Sequence, residues 1–349
     1  MASPGAGDPA QGRSRPPRAV TIHDVAKEAG VAASTVSRTF TNPPRVNVRT
    51  REHVRAVAER LGYRPNPHAR ALPTGRTKNL ALLVPDITNP HFFDLIRGAE
   101  RQARTAGYTL VLGDSEESPD RELRHIERLA PAVDGFLLAA SRLPDARLRE
   151  VAARHALCLV NRELEGIPSV VTDQFDGSRQ IVEHLASLGH RSVAYLSGPR
   201  HSWLGQWRWR ALVTAARGLG LTATRLGPFP PTLTGGAAAD AGLGHGATAL
   251  IAHNDLLAIG VLRRLAERGV AVPAGISVVG YDDIFGADFC SPPLTTLAGP
   301  LESAGRAVVD VLLEQLDPAT SRGHRHTRTR LPTHLVIRGS SGPRPGTGD

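Results

Sequence analysis

Apolar residues near the start of the chain recur every three to four positions, which is the period of an amphipathic helix. The pattern predicts three helices, Ile22–Ala29, about Ala33–Thr39 and about Val48–Leu61. Gly30 and Gly62 stand where the first and third helices should end. No alternating strand pattern interrupts this segment, so the sequence predicts a small all-α unit.

Capping residues support these boundaries. Thr21 with Asp24 resembles a capping box, and Asn47 can cap the third helix. Asn66 is a favourable N-cap followed by proline, which predicts a short fourth helix over Pro67–Leu72.

From Lys78 onward the pattern changes to short apolar runs separated by amphipathic helical stretches. The predicted strands are Leu80–Val84, Thr109–Leu112, Gly135–Ala140, Ala156–Val160, Val170–Thr172, Val193–Leu196, Ala249–Ala252 and Ser277–Val279. The helical stretches between them include Phe92–Ala106, Gly177–Leu188 and Leu256–Arg268. This alternation predicts parallel sheets covered by helices, and its length suits two sheets. In such sheets ligands bind beyond the carboxyl ends of the strands.

Charge divides the chain in the same place. The formal net charge is +9, of which residues 1–77 carry +8 and residues 78–349 carry +1. A basic end on a near-neutral body is typical of a polyanion-binding module, although a solvated basic tail has the same charge. Residues 1–17 and 339–349 are rich in Pro, Gly and small residues, and we expect both to be disordered tails.

The two cysteines, Cys158 and Cys290, form no metal-ligand or disulfide pattern, and Cys158 lies in an apolar run that indicates a buried core position. The sequence has no apolar run long enough for a membrane span and no secretory signal. We therefore expect a cytoplasmic protein with no membrane partner and no cofactor.

Two short helices joined by a glycine-containing turn are typical of a helix-turn-helix, whose second helix enters the major groove. Ser34 and Arg38 can bond base edges, Ala33 can touch a thymine methyl, and nearby short polar or basic side chains suit phosphates. The candidate DNA contacts here are Thr21, Ala33, Ser34, Thr35, Ser37, Arg38, Arg45, Asn47 and Arg49. The same spacing is also compatible with a three-helix module that binds protein.

Residues 21–72 resemble, without a gap, the headpiece of the lactose-repressor/galactose-repressor (LacI/GalR) family. The matching motifs are TIHDVAKEAGV, TVSR and LGYRPN. The resemblance implies a helix-turn-helix DNA-binding domain over residues 18–66 and a hinge helix and linker over residues 67–77. It adds Tyr63, Asn66, Arg70 and Leu72 to the candidate DNA contacts, with Leu72 as a wedge in the minor groove.

The headpiece departs from the family pattern at two positions. Ala32 stands where a serine more often caps the recognition helix, and Pro73 directly follows Leu72. Loss of a cap costs about 1 kcal/mol of helix stability.

The resemblance continues over residues 78–338 through PDITNPHF, VDGFLL, HLASLGHRSVAYLSGP, ALIAHNDLLAIG, VVGYDD and PPLTTL. It implies an effector-binding and dimerisation domain of two lobes. The expected fold class is therefore α/β, an N-terminal all-α helix-turn-helix headpiece plus a two-lobed periplasmic-binding-protein-like domain of doubly wound parallel sheets.

The resemblance also places effector contacts after the strands, where carboxylates, an amide and a guanidinium can bond hydroxyls or a polar ring. The candidates are Phe92, Asp173, Asp176, Trp203, Arg208, Asn254 and Asp282. Local structural roles compete with this interpretation, because Asp176 can cap a helix and Arg208 can pair with a carboxylate in its own lobe. Trp203 or Trp207 can stack on a sugar, and the alternative is that Trp207 or Trp209 packs on the lobe surface.

Together these features predict a sequence-specific transcription regulator, most often a repressor in this family. We expect it to bind a near-palindromic operator as a homodimer under allosteric control by a small polar effector, a sugar or sugar derivative by family habit. A solute-binding protein would lack the basic headpiece, and an architectural DNA binder would not need the large domain. No nucleophile elbow, phosphate loop or metal cluster indicates an enzyme.

Overall fold

The computed structural model describes residues 20–63, 76–317 and 328–345. The predicted hinge helix over Pro67–Leu72 and the predicted tail 1–17 lie outside the described residues.

The chain divides into two compact units, Met1–Thr77 and Lys78–Asp349. In the first unit, helices α1 (Ile22–Glu28), α2 (Ala33–Thr41) and α3 (Val48–Arg60) are present as predicted, with boundaries within two residues. A small apolar core holds the three helices together because each contributes one buried stripe. The fully or nearly buried members are Val25, Ala26, Ala29, Val36, Val54, Val57 and Ala58.

Local capping features define both ends of α1. The predicted capping box is confirmed, since Thr21 N donates to Asp24 Oδ2 at 2.8 Å and Asp24 N donates to Thr21 Oγ1 at 3.4 Å. Gly30 ends α1 with φ +65°, a left-handed conformation that glycine adopts without strain. Ala32 is the N-cap of α2 and makes no side-chain cap.

Changing Ala32 to serine is expected to stabilise α2 by about 1 kcal/mol, because the new hydroxyl can accept from the free amides of the first turn. Hydrogen exchange of the α2 amides in the full chain measures this, and protection should rise about fivefold. Ala56→Ser, the same change at an exposed position inside α3, is the control and should cost a few tenths of a kcal/mol. Equal effects of the two changes would contradict the capping explanation.

The second unit contains two six-stranded sheets. The strands are β1 (Asn79–Val84), β2 (Thr109–Asp114), β3 (Gly135–Ala139), β4 (Ala156–Val160), β5 (Ser169–Thr172), β6 (Ser192–Leu196), β7 (Thr222–Leu226), β8 (Ala249–Ala252), β9 (Ser277–Asp282), β10 (Thr295–Ala298), β11 (Arg328–Leu331) and β12 (His334–Val336). The strand order is β11-β5-β4-β3-β1-β2 in the first lobe and β12-β10-β9-β8-β6-β7 in the second. All neighbouring strands are parallel except β10 and β12, which are antiparallel. The predicted fold class is confirmed.

Helices cover both faces of each sheet. They are α4 (His91–Thr105), α5 (Pro119–Leu129), α6 (Asp145–Ala152), α7 (Gln174–Ser187), α8 (Trp203–Gly218), α9 (Ala238–Gly244), α10 (Asp255–Glu267) and α11 (Leu301–Leu316). In the first lobe α4 and α11 share one core, and in the second α7 and α8 share another. α4 and α11 approach so closely that a side chain at Gly98 would collide with the Glu302 carbonyl.

The chain crosses between the lobes three times, after β5, after β10 and after β11. The crossings are bonded to each other, since Asp173 N donates to Leu331 O at 2.9 Å and Thr333 Oγ1 donates to Asp173 O at 3.1 Å. Adjacent crossings form the connection about which two lobes can move.

The interpretation of 339–349 as a disordered tail is wrong for residues 339–345. Ser340 is fully buried. Its backbone carbonyl accepts a hydrogen bond from Val278 N at 2.7 Å, and its hydroxyl donates to Val278 O at 2.6 Å. Gly342 N donates to Ser277 Oγ at 3.1 Å. Small polar residues satisfy the backbone groups beside β9 and β10, which a composition argument does not detect.

Candidate functional site

The exposed face of α2 presents a short polar surface. Ser34 and Arg38 are exposed and Ser37 is partly exposed, while Val36 and Thr39 face the core. The first three share one face because they are three and four residues apart. Ala33 and Thr35, the other candidates on this helix, are partly buried. This is the side-chain surface that a recognition helix needs at its N-terminal half.

Basic and capping side chains flank that surface. Arg45 and Arg49 are exposed, and neither they nor Arg38 make an ion pair among the described residues, whereas Arg60 pairs with Glu28 at 2.8 Å. Unpaired guanidinium groups are available for phosphate.

Two of the predicted phosphate contacts have structural roles. The Thr21 hydroxyl donates to Asp24 Oδ2 at 2.7 Å and accepts from the Asp24 amide, so its only donor is already used in the capping box. Asn47 Oδ1 accepts from Arg49 N at 3.0 Å, which leaves its side-chain amide nitrogen to donate.

The Tyr63 ring lies 5.9 Å from that of Phe40 and packs on the headpiece core. The remaining candidates, Asn66, Arg70 and Leu72, lie outside the described residues.

A buried guanidinium occupies the centre of the second unit, where the strand ends of the second lobe meet the first. Arg208 on α8 is 3% exposed. Its Nη2 donates to Asp282 Oδ1 at 3.0 Å and its Nη1 donates to the His253 carbonyl. The guanidinium also lies 4.1 Å from the centre of the Tyr281 ring. Arg208 is thus tied to the ends of both β8 and β9.

The network continues into the first lobe by two routes. Arg208 Nε donates to Gln174 Oε1 at 2.9 Å, Gln174 Nε2 donates to Thr172 Oγ1 at 2.5 Å, and Thr172 Oγ1 donates to Asn161 Oδ1 at 3.1 Å. On the other side His91 Nδ1 lies 3.3 Å from Asp282 Oδ1. That contact lacks hydrogen-bond geometry, and Nδ1 has no hydrogen-bond partner among the described residues.

An aromatic pocket lies beside this network. The Trp203 and Trp207 rings are 5.2 Å apart, and Phe175 meets Trp207 edge to face at 5.3 Å. Asp173 and Glu163 line the same pocket, which shares Thr172 and Gln174 with the pocket around Arg208. Trp209 instead stacks on Tyr195 at 6.1 Å in the lobe core. Flat apolar faces and polar groups therefore adjoin in one cleft, as in sites that bind rings bearing hydroxyls.

The cleft is nearly filled by its own side chains. The aromatic pocket has a volume of about 20 Å³ and the Arg208 pocket about 10 Å³. Each is room for about one water molecule. A sugar-sized ligand can enter only if the lobes separate or the Arg208 contacts are exchanged for ligand contacts.

Burial controls ionisation in the cleft. Desolvation lowers the pKa of His91, with Asp282 opposing and Arg208 reinforcing that shift. Burial lowers the pKa of His253 well below its usual range, and the positive charge of Arg208 lowers that pKa further. Burial raises the pKa of Tyr281 to about 12, so its hydroxyl stays protonated and contacts Ser178 Oγ at 2.9 Å. Burial also raises the pKa of Asp255 well above its usual range.

The low pKa of His253 predicts a pH-dependent contribution to stability. As pH falls through about 6.5, the unfolded chain protonates this histidine while the folded form keeps it neutral. The contribution of neutral His253 to the free energy of unfolding is therefore complete above pH 6.5. It is lost as the pH falls below 6.5, by up to about 1.4 kcal/mol per pH unit.

Comparison with His253→Gln isolates this histidine, because the other titrating groups are common to both proteins. Urea denaturation followed by tryptophan fluorescence should show the stability advantage of the wild type shrinking from about pH 7.5 to about pH 5.5. An advantage that does not change with pH would contradict a neutral buried His253.

The structure brings together four of the predicted effector residues and separates three. Asp173, Trp203, Arg208 and Asp282 line the two pockets. Phe92, Asp176 and Asn254 do not line them.

Each of these three has a local role instead. Phe92 is 5% exposed and packs in the core of the first lobe. Asp176 pairs with Arg179, and the N-cap of α7 is Asp173, which accepts from Asp176 N at 3.1 Å. Asn254 caps α10 through Leu257 N at 3.0 Å and donates to Pro231 O at 2.9 Å.

Sequence reasoning missed His91, Gln174, Asn161 and Thr172. His91 and Gln174 are next in sequence to the predicted residues Phe92 and Asp173. The resemblance therefore identified the correct loops, but in each loop it missed the adjacent residue that joins the Arg208 network. Asn161 follows β4, at a strand end that the argument about carboxyl ends covers. The buried Asp255 at the start of α10 orients a loop, since it accepts from Ile284 N at 3.0 Å and from Thr296 Oγ1 at 2.6 Å.

Residues 20–63, 76–317 and 328–345 include no cluster of three or more metal-ligating side chains. Within the same ranges, no helix has the length and apolar content needed to cross a membrane.

Two family models match the chain. Residues 21–66 match the model described as bacterial regulatory proteins, lacI family. Residues 182–341 match that of the periplasmic binding protein-like domain. The first match contains the polar face of α2, and the second contains Arg208 and Asp282.

Relatives match nearly the whole chain. The HTH-type transcriptional repressor CytR of Escherichia coli K12 is 33% identical over 336 residues, covering 93% of this chain and 96% of that protein. The Lac repressor dimer bound to operator and the anti-inducer ONPF has 28% identity and a TM-score of 0.81, with 93% of this chain and 100% of that chain covered. The regulator CelR in complex with cellobiose has 29% identity and a TM-score of 0.67, with 92% and 99% covered. These relatives are named as transcriptional repressors or regulators. The chain belongs to the lacI family of bacterial regulatory proteins and is a transcriptional repressor with a DNA-binding domain and an effector-binding domain.

Proposed function

We propose that this repressor binds a near-palindromic operator as a homodimer and that a small polar effector, a sugar or sugar derivative, controls it from the cleft between the lobes. The observation that carries this proposal is the Arg208 network. It joins the second lobe to the first through Gln174 on one side and Asp282 with His91 on the other. A ligand that replaces these contacts changes how the lobes are held.

The DNA contacts follow from the exposed face of α2. Ser34, Ser37 and Arg38 are the base-reading candidates, with Arg38 suited to the two acceptors of guanine. Arg45, Arg49 and the Asn47 amide are the phosphate candidates. We assign Thr21 to the capping of α1 and not to a phosphate contact.

Homodimerisation is supported by an exposed aromatic pair on the second lobe. Phe285 is 79% exposed and Phe289 is 66% exposed, and their rings contact each other at 5.1 Å. Large exposed aromatic side chains are typical of interface anchors. A two-fold dimer would present two recognition helices to two half-sites, which explains the expected near-palindrome.

The double change Phe285→Ser with Phe289→Ser is expected to turn a dimer into a monomer in sedimentation velocity. Leu219→Ser removes another exposed apolar side chain, 44% exposed at the end of α8, and should leave the dimer intact. A dimer that survives the double change would place the interface elsewhere, and a monomeric wild type would overturn the dimer proposal.

The effector class is supported by the side chains that adjoin in the cleft. Arg208 and Asp282 can together donate to and accept from neighbouring hydroxyls, and the buried His91 Nδ1 offers a further polar atom. Trp203 and Trp207 supply flat faces suited to a sugar ring or another planar group. The comparison protein CelR is itself described with cellobiose.

Two of the three tryptophans, Trp203 and Trp207, line the aromatic pocket, so intrinsic fluorescence reports on the cleft. Titration of the full-length protein with monosaccharides, disaccharides and nucleosides is expected to change the emission for members of one class. Arg208→Lys keeps the charge but loses the guanidinium fork, and should weaken that response at least about tenfold. If the response of the Arg208→Lys variant equals that of the wild type, the effector does not bind in this cleft.

A further inference from the structure

A second and larger cavity lies on the outer side of α8. Its volume is about 470 Å³. One wall is a face of α8, where Gln206 and Arg210 are four residues apart with Trp209 beside them. The other wall is formed at the ends of β6 and β7 and by the loop before α8. The residues contributed there are Ser197, Arg200, Arg225, Gly227 and Pro228.

The floor of this cavity has a fixed shape. Ser197 N and Ser197 Oγ both donate to Leu226 O, at 2.9 Å and 2.7 Å, and Phe229 N donates to Ser197 O at 2.8 Å. Gly227 has φ +108°, and a side chain there would lie 2.8 Å from Ser197 Oγ. Only glycine allows the backbone to return so closely against Ser197.

Three arginines converge on the cavity without compensating acids. Arg200, Arg210 and Arg225 are exposed, and none of them makes an ion pair with any described residue. By contrast, Arg179 pairs with Asp176, and Arg264 with Asp240. No carboxylate lines the cavity. Like charges placed together repel unless an anion joins them.

The cavity is separate from the cleft, although one helix serves both. Arg208 points into the cleft and is buried, while Gln206 and Arg210 line the outer cavity. The Arg210 guanidinium lies 5.8 Å from the centre of the Trp207 ring, which lines the aromatic pocket. The two sites are therefore adjacent across α8 and share no lining residue.

We propose that this arginine cavity is a binding site for a small phosphorylated molecule. A phosphate monoester dianion has three terminal oxygens, and guanidinium groups match that geometry with paired hydrogen bonds. The cavity volume lies within the range of about 300–1,000 Å³ typical of small-molecule sites. Trp209, held against Tyr195, offers an apolar wall for the remainder of the ligand.

Isothermal titration of the full-length protein with inorganic pyrophosphate tests the site. The double change Arg200→Gln with Arg225→Gln should weaken binding at least about tenfold. Arg217→Gln removes one positive charge from the exposed end of α8, outside the cavity, and should change the Kd less than about twofold. Because these arginines are exposed, the variants should retain the wild-type melting temperature.

Three results would overturn the proposal. The first is no binding of pyrophosphate by the wild type. The second is equal loss in the double variant and in Arg217→Gln, which would indicate diffuse surface charge. The third is citrate binding as tightly as pyrophosphate, which would assign the cavity to polyanions in general rather than to phosphate.

Discussion

Replacing Arg208 with alanine is expected to lower the free energy of unfolding of the second unit by about 3–5 kcal/mol, because it leaves a buried charge without its partner. The Asp282 side chain is 5% exposed and would keep only the neutral His91 beside it. The Gln174 and His253 oxygens would also lose their donor. Buried acceptors without partners are costly.

Urea denaturation followed by tryptophan fluorescence measures this loss. Arg179→Ala is the matched control, because it breaks exposed ion pairs with Asp176 and Glu183. Such pairs contribute at most about 1 kcal/mol. Similar losses in the two variants would contradict the central place of Arg208.

Replacing Arg38 with alanine is expected to weaken binding to the preferred duplex about 5- to 150-fold, which corresponds to about 1–3 kcal/mol for a paired contact to guanine. Arg38 is exposed on α2 beside Ser34, and it makes no ion pair among the described residues. Binding to unrelated duplexes should change much less, because it depends mainly on phosphate contacts.

Fluorescence anisotropy with the preferred duplex and a scrambled duplex separates these effects. Arg60→Ala removes an equal charge from the end of α3, where Arg60 pairs with Glu28, and should affect both duplexes alike and weakly. Equal weakening of both duplexes by Arg38→Ala would identify it as a phosphate contact rather than a reader of sequence.

The apolar pattern predicted most of the strands that are buried on both faces. β1, β3, β4 and β8 appear as continuous apolar runs and were predicted within one residue at each end. β7, β11 and β12 were not predicted, because they are edge strands whose exposed positions carry polar residues. β10 was also missed although it is buried, because two of its four residues are threonines rather than apolar residues. An edge strand lacks the two-sided burial that makes a run recognisable.

The cleft was only partly predictable for a different physical reason. Asp and Asn residues after a strand can contact a ligand or cap the next helix, and the sequence pattern is the same. Asp173 lines a pocket while capping α7, whereas both groups of Asn254 are used locally. The sequence predicted Arg208 as a polar residue of the site. Its hydrogen bond to Gln174, 34 positions away in the sequence, is visible only in the folded structure.

We propose that the headpiece reads a specific two-fold DNA sequence. Selection of duplexes from a random library by the purified full-length protein, repeated between about 50 and 200 mM salt, tests this most directly. We expect enrichment of one near-palindrome that persists as salt rises and is lost with Arg38→Ala. Salt-sensitive binding of all duplexes with no enriched sequence would contradict it.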